Sequence, residues 1–356
     1  MVLYAAIVIV VMFVILVTVL ACNELCTSPP PSYRSVYGDD TSCDEDIDIV
    51  VTWVDGTDDI RNALRTRLKN DINAISELSN DAASPARFEN FDELKYMIRS
   101  VETYAPWIRN IIILASGDQV PPYEDEVKNN PRVRIVYDDT IIDSEHLPTF
   151  NSHALEASMY RIDGLSERFL YACDDMFFGR ATPKKFFFPD SESPYNLYRY
   201  SGIYTCRNQS SDMHFQAWYN NNKVLNTIKH ERRRYPCHTI TAMTKTDMAR
   251  AAELFSDQWN ATITHQFRHK DDVHPVGLAQ YVAVYDGRAK WNSYIPARLH
   301  TLDSSAANWF SLRIFNLVRS KLKCLNDWCT HSNPKTGEQV HKALEWHFPP
   351  LEKTET

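Results

Sequence analysis

Short apolar runs that alternate with helical segments constrain the fold of this 356-residue chain more than any other feature. The runs are continuous in Val, Ile, Leu and Phe, which is typical of strands buried on both faces of a parallel sheet. The predicted strands are Ile47–Val54, Ile108–Ala115, Val133–Tyr137 and Phe169–Cys173. Helical spacing at Arg87–Tyr104 and Phe150–Ile162 separates them. The sequence therefore predicts an α/β fold with a mostly parallel sheet flanked by helices.

The second half of the chain has a different pattern. Its apolar residues have helical spacing over Asp247–Phe255, Pro275–Tyr285 and Ser304–Leu322, and no internal repeat is visible. We predict one folded domain over residues 46–330, with a helical C-terminal half, followed by a tail at residues 331–356.

The N-terminus predicts attachment to a membrane. Val2–Ala21 is apolar except for Thr18, and about 20 such residues span a bilayer as one helix. We predict an anchor over residues 1–22 and a Pro/Ser-rich stem over residues 23–45; a cleaved signal peptide and a lipid on Cys22 are the alternatives. The expected location is a single-pass type II membrane protein facing the Golgi or secretory lumen, or the extracytoplasmic side in a bacterium.

Cysteine content and net charge narrow the class of protein. The chain has eight cysteines, and five of them lack metal-finger spacing. We therefore predict disulfide bonds in an oxidising compartment for Cys43, Cys206, Cys237, Cys324 and Cys329. The net charge of -8 argues against a nucleic-acid partner, which would require a basic face.

Three of the four predicted strands end in aspartates, at the edge where parallel sheets bind ligands. Asp174-Asp175 follows the fourth strand. Paired carboxylates there can hold Mg²⁺ or Mn²⁺ against the phosphates of a nucleotide diphosphate, or one can accept a proton from an attacking hydroxyl. A helix or turn cap is the other interpretation of the pair, and it is the one we favour for Asp138-Asp139.

Asp55 and Gly56 follow the first predicted strand. The glycine permits a tight turn in which backbone N–H groups approach a phosphate or a base. An ordinary strand-to-helix turn, with Asp58 as the helix cap, is equally compatible with the pattern.

Two cationic segments of the second half could face a phosphate. His238 follows the basic run at residues 229–234, and Arg268 opens the run Arg-His-Lys-Asp-Asp. An arginine over a transferring phosphate neutralises developing charge. A solvated surface face and a surface cluster of salt bridges are the alternative interpretations of these two runs.

Taken together, these segments resemble the Stealth family of sugar-phosphate transferases. Four blocks are similar and occur in the family's order. They are DIDIVVTWVDGTD (46–58), the long block from RFENFDELK to ACDDMFFG (87–179), residues 237–243 with FRHKDDVHPVGLAQY (267–281), and KCLND (323–327). The resemblance implies a Rossmann-like α/β transferase core.

The resemblance also implies catalytic roles. Asp175 matches the second acid of the family's Asn-Asp-Asp motif, and His238 and Arg268 match its third block. We hypothesise that Asp175, with Asp174, binds Mg²⁺ or Mn²⁺, and that Arg268 stabilises phosphate charge. His238 would take the proton of the acceptor hydroxyl. The roles of Asp175 and His238 could be exchanged.

A second group of residues is implied to bind the donor substrate: Asp55, Gly56, Glu93, Arg99 and Cys173. Cys173 stands where relatives often have asparagine, and a thiol donates and accepts hydrogen bonds only weakly. This departure places contacts to the donor sugar in question.

The resulting hypothesis is transfer of a hexose-1-phosphate, such as N-acetylglucosamine-1-phosphate, from a nucleotide-sugar donor to a glycan acceptor, with release of nucleoside monophosphate. A metal-dependent glycosyltransferase, which releases nucleoside diphosphate, is one alternative. An inactive, membrane-tethered glycan-binding relative is the other, and Cys173 favours it slightly.

Overall fold

A computed structural model of the chain describes residues 28–38, 45–73, 90–300, 305–326 and 335–350. The predicted membrane anchor lies outside these residues and stays a prediction, as do residues 23–27 and 39–44 of the predicted stem. None of the described helices combines the length and the apolar character needed to cross a bilayer.

The strands and helices follow one another along the whole described chain. The strands are β1 (Asp48–Trp53), β2 (Ile111–Ala115), β3 (Val133–Tyr137), β4 (Arg168–Cys173), β5 (Met176–Phe178), β6 (Tyr195–Tyr204), β7 (Arg234–Pro236), β8 (Thr241–Thr244), β9 (Ala289–Ser293), β10 (Ala297–His300) and β11 (Leu322–Asn326). The α-helices are α1 (Tyr33–Tyr37), α2 (Asp59–Asn73), α3 (Glu93–Tyr104), α4 (Ser152–Ser158), α5 (Met213–Leu225), α6 (Lys245–Leu254), α7 (Ser256–Thr264), α8 (Pro275–Tyr285), α9 (Ser305–Leu317) and α10 (Lys335–His347).

The largest sheet confirms the predicted α/β class. Its strand order is β3-β2-β1-β4-β8. β1 runs parallel to β2 and β4, β2 runs parallel to β3, and only β8 is antiparallel to its neighbour. Because Thr52 pairs with Cys173 and Trp53 with Ala115, the carboxyl ends of β4, β1 and β2 meet at one edge.

Both faces of this sheet are covered, which explains the continuous apolar runs. Ile49 and Val51 of β1 point into one core, where α3 packs, whereas Val50 points into a second core formed with α4, α6 and α8. Successive side chains of a strand point to opposite faces. A strand buried on both faces therefore requires an apolar residue at every position.

The second half contains strands that the sequence pattern did not indicate. The helix predicted at Ser304–Leu322 ends at Leu317, and the chain then forms β11. β11 belongs to a small sheet of order β10-β11-β5, and a further sheet has the order β7-β6-β9. These strands are only three to ten residues long and pair with distant segments, so their local periodicity carries little information.

The C-terminal segment predicted as a tail contains helix α10, which is part of the folded domain. Val340 and Leu344 of α10 are fully buried in the core that α3 lines. Part of the predicted stem also packs there, because Tyr33 is buried in the same core. An amphipathic helix gains its stability from such packing of its apolar face.

The disulfide prediction is wrong for the cysteines that the structure describes. Cys173, Cys206, Cys237 and Cys324 are all free thiols. Cys237 and Cys324 are buried, which is ordinary for cysteine as a small apolar residue. The other two cysteines of that prediction lie outside the described residues.

Two glycine-to-alanine substitutions in helices should have opposite effects on stability. A Cβ at Gly277 in α8 would overlap the Trp218 ring, so we expect Gly277→Ala to lower the free energy of unfolding by about 1–3 kcal/mol. A Cβ at Gly337 in α10 would only reach van der Waals distance of Phe91, so Gly337→Ala should raise it by about 0.5–1 kcal/mol. Urea denaturation of both variants measures the difference; equal effects would contradict it.

Candidate active site

Three carboxyl groups cluster at the carboxyl edge of the large sheet. Asp174 and Asp175 form the turn between β4 and β5, and Glu93 is the first residue of α3. The Phe91 backbone N–H donates to Glu93 Oε2 at 2.6 Å, which fixes that side chain. Burial raises the pKa of Glu93 well above its usual range, and the neighbouring charge of Asp174 adds to the effect.

The two aspartates of this cluster hold their protons more tightly than ordinary aspartates. Burial, followed by the charge of Asp175, raises the pKa of Asp174 to about 7. Burial also raises the pKa of Asp175 to about 6. Asp175 Oδ1 is enclosed and accepts no hydrogen bond. A buried carboxylate oxygen without a donor, beside two further carboxyls, fits a hard divalent cation such as Mg²⁺ or Mn²⁺.

Asp175, Cys324 and His238 form a hydrogen-bonded chain across the cleft. The Cys324 thiol donates to Asp175 Oδ2 at 3.6 Å, and Cys324 Sγ lies 3.3 Å from His238 Nδ1. Burial, with the charge of Asp175, raises the pKa of Cys324 well above its usual value, so the thiol keeps its proton. Because that proton is donated to Asp175, we assign His238 Nδ1 as the donor to sulfur. The lone pair of the imidazole is therefore on Nε2.

Asn326 and Arg298 complete the surroundings of Asp175. The Asn326 amide donates to Asp175 Oδ2 at 3.4 Å, and Arg298 Nη2 donates to Asn326 Oδ1 at 3.3 Å. Arg298 is exposed and its charge lowers the pKa of Asp175, against the dominant effect of burial. Tyr200 Oη accepts the His238 backbone N–H at 3.3 Å. An exposed guanidinium thus lies at the entrance of the site.

Arg268 lies among several histidines that interact electrostatically with His238. Its Nη2 donates to Ser152 Oγ, at the start of α4, at 2.7 Å. The pKa of His274 is held well below its usual range by burial, followed by the charges of His153, Arg268 and His238. His274 Nδ1 accepts the Gly277 N–H at 3.1 Å, so this ring is neutral. One electrostatic neighbourhood therefore contains both Arg268 and His238.

Cys173 and Glu156 connect the Arg268 side to the acid cluster. Burial, followed by the charges of Asp175 and Glu156, raises the pKa of the Cys173 thiol. Glu156 is buried, which raises its pKa, while the charge of Arg268 opposes that shift. Tyr171 Oη donates to Glu156 Oε1 at 3.1 Å and lies 3.7 Å from Cys173 Sγ. Cys173 is thus close to both Asp175 and Glu156, with Tyr171 as its polar neighbour.

Asp55 and Gly56 lie at the same sheet edge, where the Asp55 N–H donates to Gln119 Oε1 and the Asp55 carbonyl accepts from Gln119 Nε2, both at 3.0 Å. Asp55 Oδ1 accepts the Thr57 N–H at 2.9 Å and the Thr57 hydroxyl at 2.7 Å. The Gly56 carbonyl accepts the Asn62 amide at 2.8 Å. Asp58 Oδ1 accepts from the Ile60 and Arg61 N–H groups and so caps α2. No hydrogen bond between described residues joins this turn to Asp175.

Arg99 and Asp138 form hydrogen bonds and ion pairs with residues outside the acid cluster. Arg99 donates to Glu126 at 2.8 Å and to Glu345 at 3.0 Å, and only 4% of its surface is exposed. The structure therefore places the Arg99 guanidinium between α3 and α10, away from the acid cluster. Asp138 Oδ1 accepts the Gly117 N–H at 3.0 Å, and its other oxygen faces Arg61 and the Ser116 hydroxyl. The capping prediction is therefore wrong for Asp138, whose carboxylate instead joins the end of β2 to Arg61 of α2.

Sequence reasoning gave no catalytic or binding role to several residues of the site: Glu156, Tyr200, His214, His274, Arg298, Cys324 and Asn326. The sequence signal that could have identified Cys324 and Asn326 is the KCLND block, in which polar residues adjoin a short apolar segment. No sequence signal pointed to Arg298 or His214, because each is an isolated charged or polar residue whose position depends on distant strands.

The acid cluster predicts a pH dependence of stability. The folded protein keeps protons on these carboxyls that the unfolded chain releases, so its free energy of unfolding falls as pH rises from 3.8 to about 7. Glu93→Gln retains an acceptor for the Phe91 N–H and removes one charge. We expect this variant to be more stable than the wild type at pH 8 without divalent cations, by on the order of 1 kcal/mol.

Urea denaturation at pH 4.5 and pH 8 tests this expectation, with the surface variant Glu124→Gln as control. Mg²⁺ at pH 8 should stabilise the wild type more than Glu93→Gln. A variant with the same pH profile as the wild type would show that Glu93 is not coupled to the aspartates.

Comparisons with known proteins agree with the sequence blocks. Residues 87–195 match conserved region 2 of Stealth proteins and residues 237–284 match conserved region 3. A capsular polysaccharide phosphotransferase of Neisseria meningitidis serogroup B is 28% identical, over 85% of this chain and 80% of that protein. An exopolysaccharide phosphotransferase of Streptomyces coelicolor is 35% identical, over 86% of this chain and 56% of that protein. The chain thus spans little more than half of the Streptomyces relative.

Solved structures are more distant. A galactosyltransferase, LgtC, in complex with donor and acceptor sugar analogues is 11% identical, with a TM-score of 0.41, over 86% of this chain and 98% of that one. Regions 2 and 3 contain β4 with its Asp174-Asp175 turn, His238 and Arg268. This chain therefore contains conserved regions 2 and 3 of Stealth proteins and is similar over most of its length to capsular and exopolysaccharide phosphotransferases.

Proposed function

We propose that this protein transfers a sugar-1-phosphate group from a nucleotide-diphosphate sugar to a glycan hydroxyl. The observation that carries the proposal is the approach of Asp175 and His238, whose ligand atoms, with Cys324 Sγ, lie within 4.8 Å of one another. This places a carboxylate cluster and an imidazole at the ligand-binding edge of a parallel sheet. The names of the relatives from Neisseria and Streptomyces, both phosphotransferases, support the same class of reaction.

A divalent cation would be held by Asp175 and Asp174, with Glu93 beside them. When bound, Mg²⁺ or Mn²⁺ would neutralise the phosphate oxygens of the donor and draw charge from its pyrophosphate. Without the cation, the raised pKa of Asp174, caused mainly by burial, shows that the cluster resists full ionisation. A divalent cation would therefore favour the ionised form of these carboxyls.

His238 acts as the base. The acceptor hydroxyl attacks the phosphorus that carries the sugar, its proton passes to His238 Nε2, and the bond to the nucleoside monophosphate breaks. The Cys324 thiol, held by Asp175, keeps His238 Nδ1 protonated and so keeps Nε2 available. The nearby Asp175 charge stabilises the imidazolium that forms, as a positioned carboxylate does for other catalytic histidines.

Arg268 stabilises negative charge on the transferring phosphate. Its contact with Ser152 Oγ holds the guanidinium at the start of α4.

Removing one such positioned donor costs about 10²-fold in turnover. We expect Arg268→Lys to lose about 10²-fold in kcat, because lysine is a point charge that cannot reproduce the planar fork. Initial-rate measurements check this, with the exposed Arg207→Lys as control; a fully active Arg268→Lys would remove Arg268 from the mechanism.

Product analysis tests the proposed reaction. The full chain is incubated with Mg²⁺ or Mn²⁺, a glycan acceptor and a panel of nucleotide-diphosphate hexoses, including UDP-N-acetylglucosamine. Release of nucleoside monophosphate with formation of a phosphodiester is the expected result. Release of nucleoside diphosphate would instead identify a glycosyltransferase, and binding of glycan without donor turnover would identify an inactive relative.

A further inference from the structure

We propose that Asp175, His238 and Cys324 form a site for Zn²⁺ or a similar soft divalent metal. Their ligand atoms lie within 4.8 Å of one another. The donor set of one thiolate, one imidazole and one carboxylate differs from the all-oxygen set formed by Asp174 and Asp175. Sulfur and nitrogen ligands select zinc and related transition metals over Mg²⁺.

Two of the three ligand-atom separations match those of a tetrahedral metal site. With Zn–S near 2.3 Å and Zn–N or Zn–O near 2.1 Å, tetrahedral angles place neighbouring ligand atoms about 3.6 Å apart. Cys324 Sγ lies 3.3 Å from His238 Nδ1 and 3.6 Å from Asp175 Oδ2. The cation could therefore enter with little movement of the side chains.

The other carboxylate oxygen of Asp175 also favours a bound cation, and Zn²⁺ would compete for it with Mg²⁺ or Mn²⁺. Asp175 Oδ1 is enclosed by protein and accepts no hydrogen bond. A buried acceptor that lacks a donor is costly, and a bound cation would compensate it. Asp175 and His238 are each only half-buried, whereas Cys324 is fully buried behind them. A metal ion could therefore reach Asp175 and His238 from solvent, and Cys324 would close the inner side of the site.

Metal binding would replace the hydrogen bonds that link Asp175, Cys324 and His238. The Cys324 S–H bond breaks, its proton leaves to solvent, and the thiolate coordinates the cation. His238 Nδ1 coordinates through its lone pair, so the ring proton moves to Nε2. Three protein ligands leave the fourth position for water or an anion. The carboxyls of Asp174 and Glu93 add attraction for the cation, against the charge of the exposed Arg298.

The metal would inhibit sugar-phosphate transfer. With Nδ1 bound to the cation and Nε2 protonated, His238 cannot accept the hydroxyl proton, and Asp175 is no longer available to Mg²⁺. This consequence rests on the proposed function, whereas the binding site itself does not. Binding is therefore measured first, without donor or acceptor, so that failure of the site and failure of the proposed reaction are distinguished.

Cobalt absorption tests the site directly. The full chain, free of metal and with reduced thiols, is titrated with Co²⁺, whose bond to a thiolate gives a charge-transfer band in the near ultraviolet. We expect one equivalent of Co²⁺ to produce this band together with the visible bands of a tetrahedral ion. One equivalent of Zn²⁺ should abolish the bands, whereas Mg²⁺ in large excess should not.

Two variants and a control assign the ligands. Cys324→Ser should lose the charge-transfer band, and His238→Gln should weaken Co²⁺ binding by at least ~10-fold. Cys237→Ser, which removes another buried thiol that donates to the Tyr294 carbonyl, should leave the spectrum unchanged. A missing band in the wild type, or an undiminished band in Cys324→Ser, would overturn the proposal. A thiolate band that survives in His238→Gln with unchanged affinity would do the same.

Discussion

Asp175→Asn should reduce kcat by about 10³-fold while leaving the protein folded. The substitution keeps the size of the side chain and still offers an acceptor to Asn326, but it removes the charge that binds the cation and supports His238. Loss of an interaction that acts mainly in the transition state lowers kcat rather than raising KM. Initial rates with saturating donor and Mg²⁺, together with urea denaturation, measure the two effects separately.

The expected effect on stability has the opposite sign to the effect on activity. Asp175 contributes to the raised pKa of Asp174, after the larger effect of burial. Removing its charge therefore relieves repulsion within the cluster, and the variant should be at least as stable as the wild type at pH 8. Asp139→Asn, at an exposed position after β3, is the matched control. Activity within ~10-fold of the wild type would show that Asp175 has no catalytic role.

His238→Ala should also lower kcat by about 10³-fold, within the range attributed to a general base. The half-buried ring leaves a small cavity beside Cys324 in this variant. Imidazole added to the assay should enter that cavity and restore part of the activity, because it supplies the missing lone pair. It should not restore Asp175→Asn, whose base is intact but whose carboxylate is gone.

Two controls make the result of the His238 experiment specific. His230→Ala removes an exposed imidazole from the preceding basic run and should keep wild-type rates with or without imidazole. The Cys324 thiol and the Tyr200 hydroxyl both contact His238, so near-ultraviolet circular dichroism should be compared to exclude a wider rearrangement. If His238→Ala retains its rate, Asp175 becomes the candidate base.

The large sheet could be predicted because its signal is local. Strands β1 and β2 are buried on both faces, so nearly every position is apolar and the runs stand out in the sequence. The turn after β4 could be located for the same reason, since Asp174-Asp175 ends such a run. The placement of acids at the ligand-binding edge follows from strand direction alone, which the parallel pairing confirms.

Other predictions failed or remained incomplete where they depended on distant contacts. Disulfides were inferred from the expected compartment, yet Cys324 is a free thiol beside Asp175. Arg99 shares a helix with Glu93, but it lies six residues away and pairs with Glu126 and Glu345. Helical spacing defines which residues share a helix face, not which segment that face meets.

The sequence by itself determined the α/β class, the strands of the parallel sheet and the acids at its edge, because burial on two faces imposes a pattern on neighbouring residues. Only the tertiary structure decided which groups meet Asp175. Cys324 is 149 residues away from it along the chain and 86 residues from His238. The pairing of β11 with β5 brings them together, and no local periodicity encodes a contact between segments so far apart.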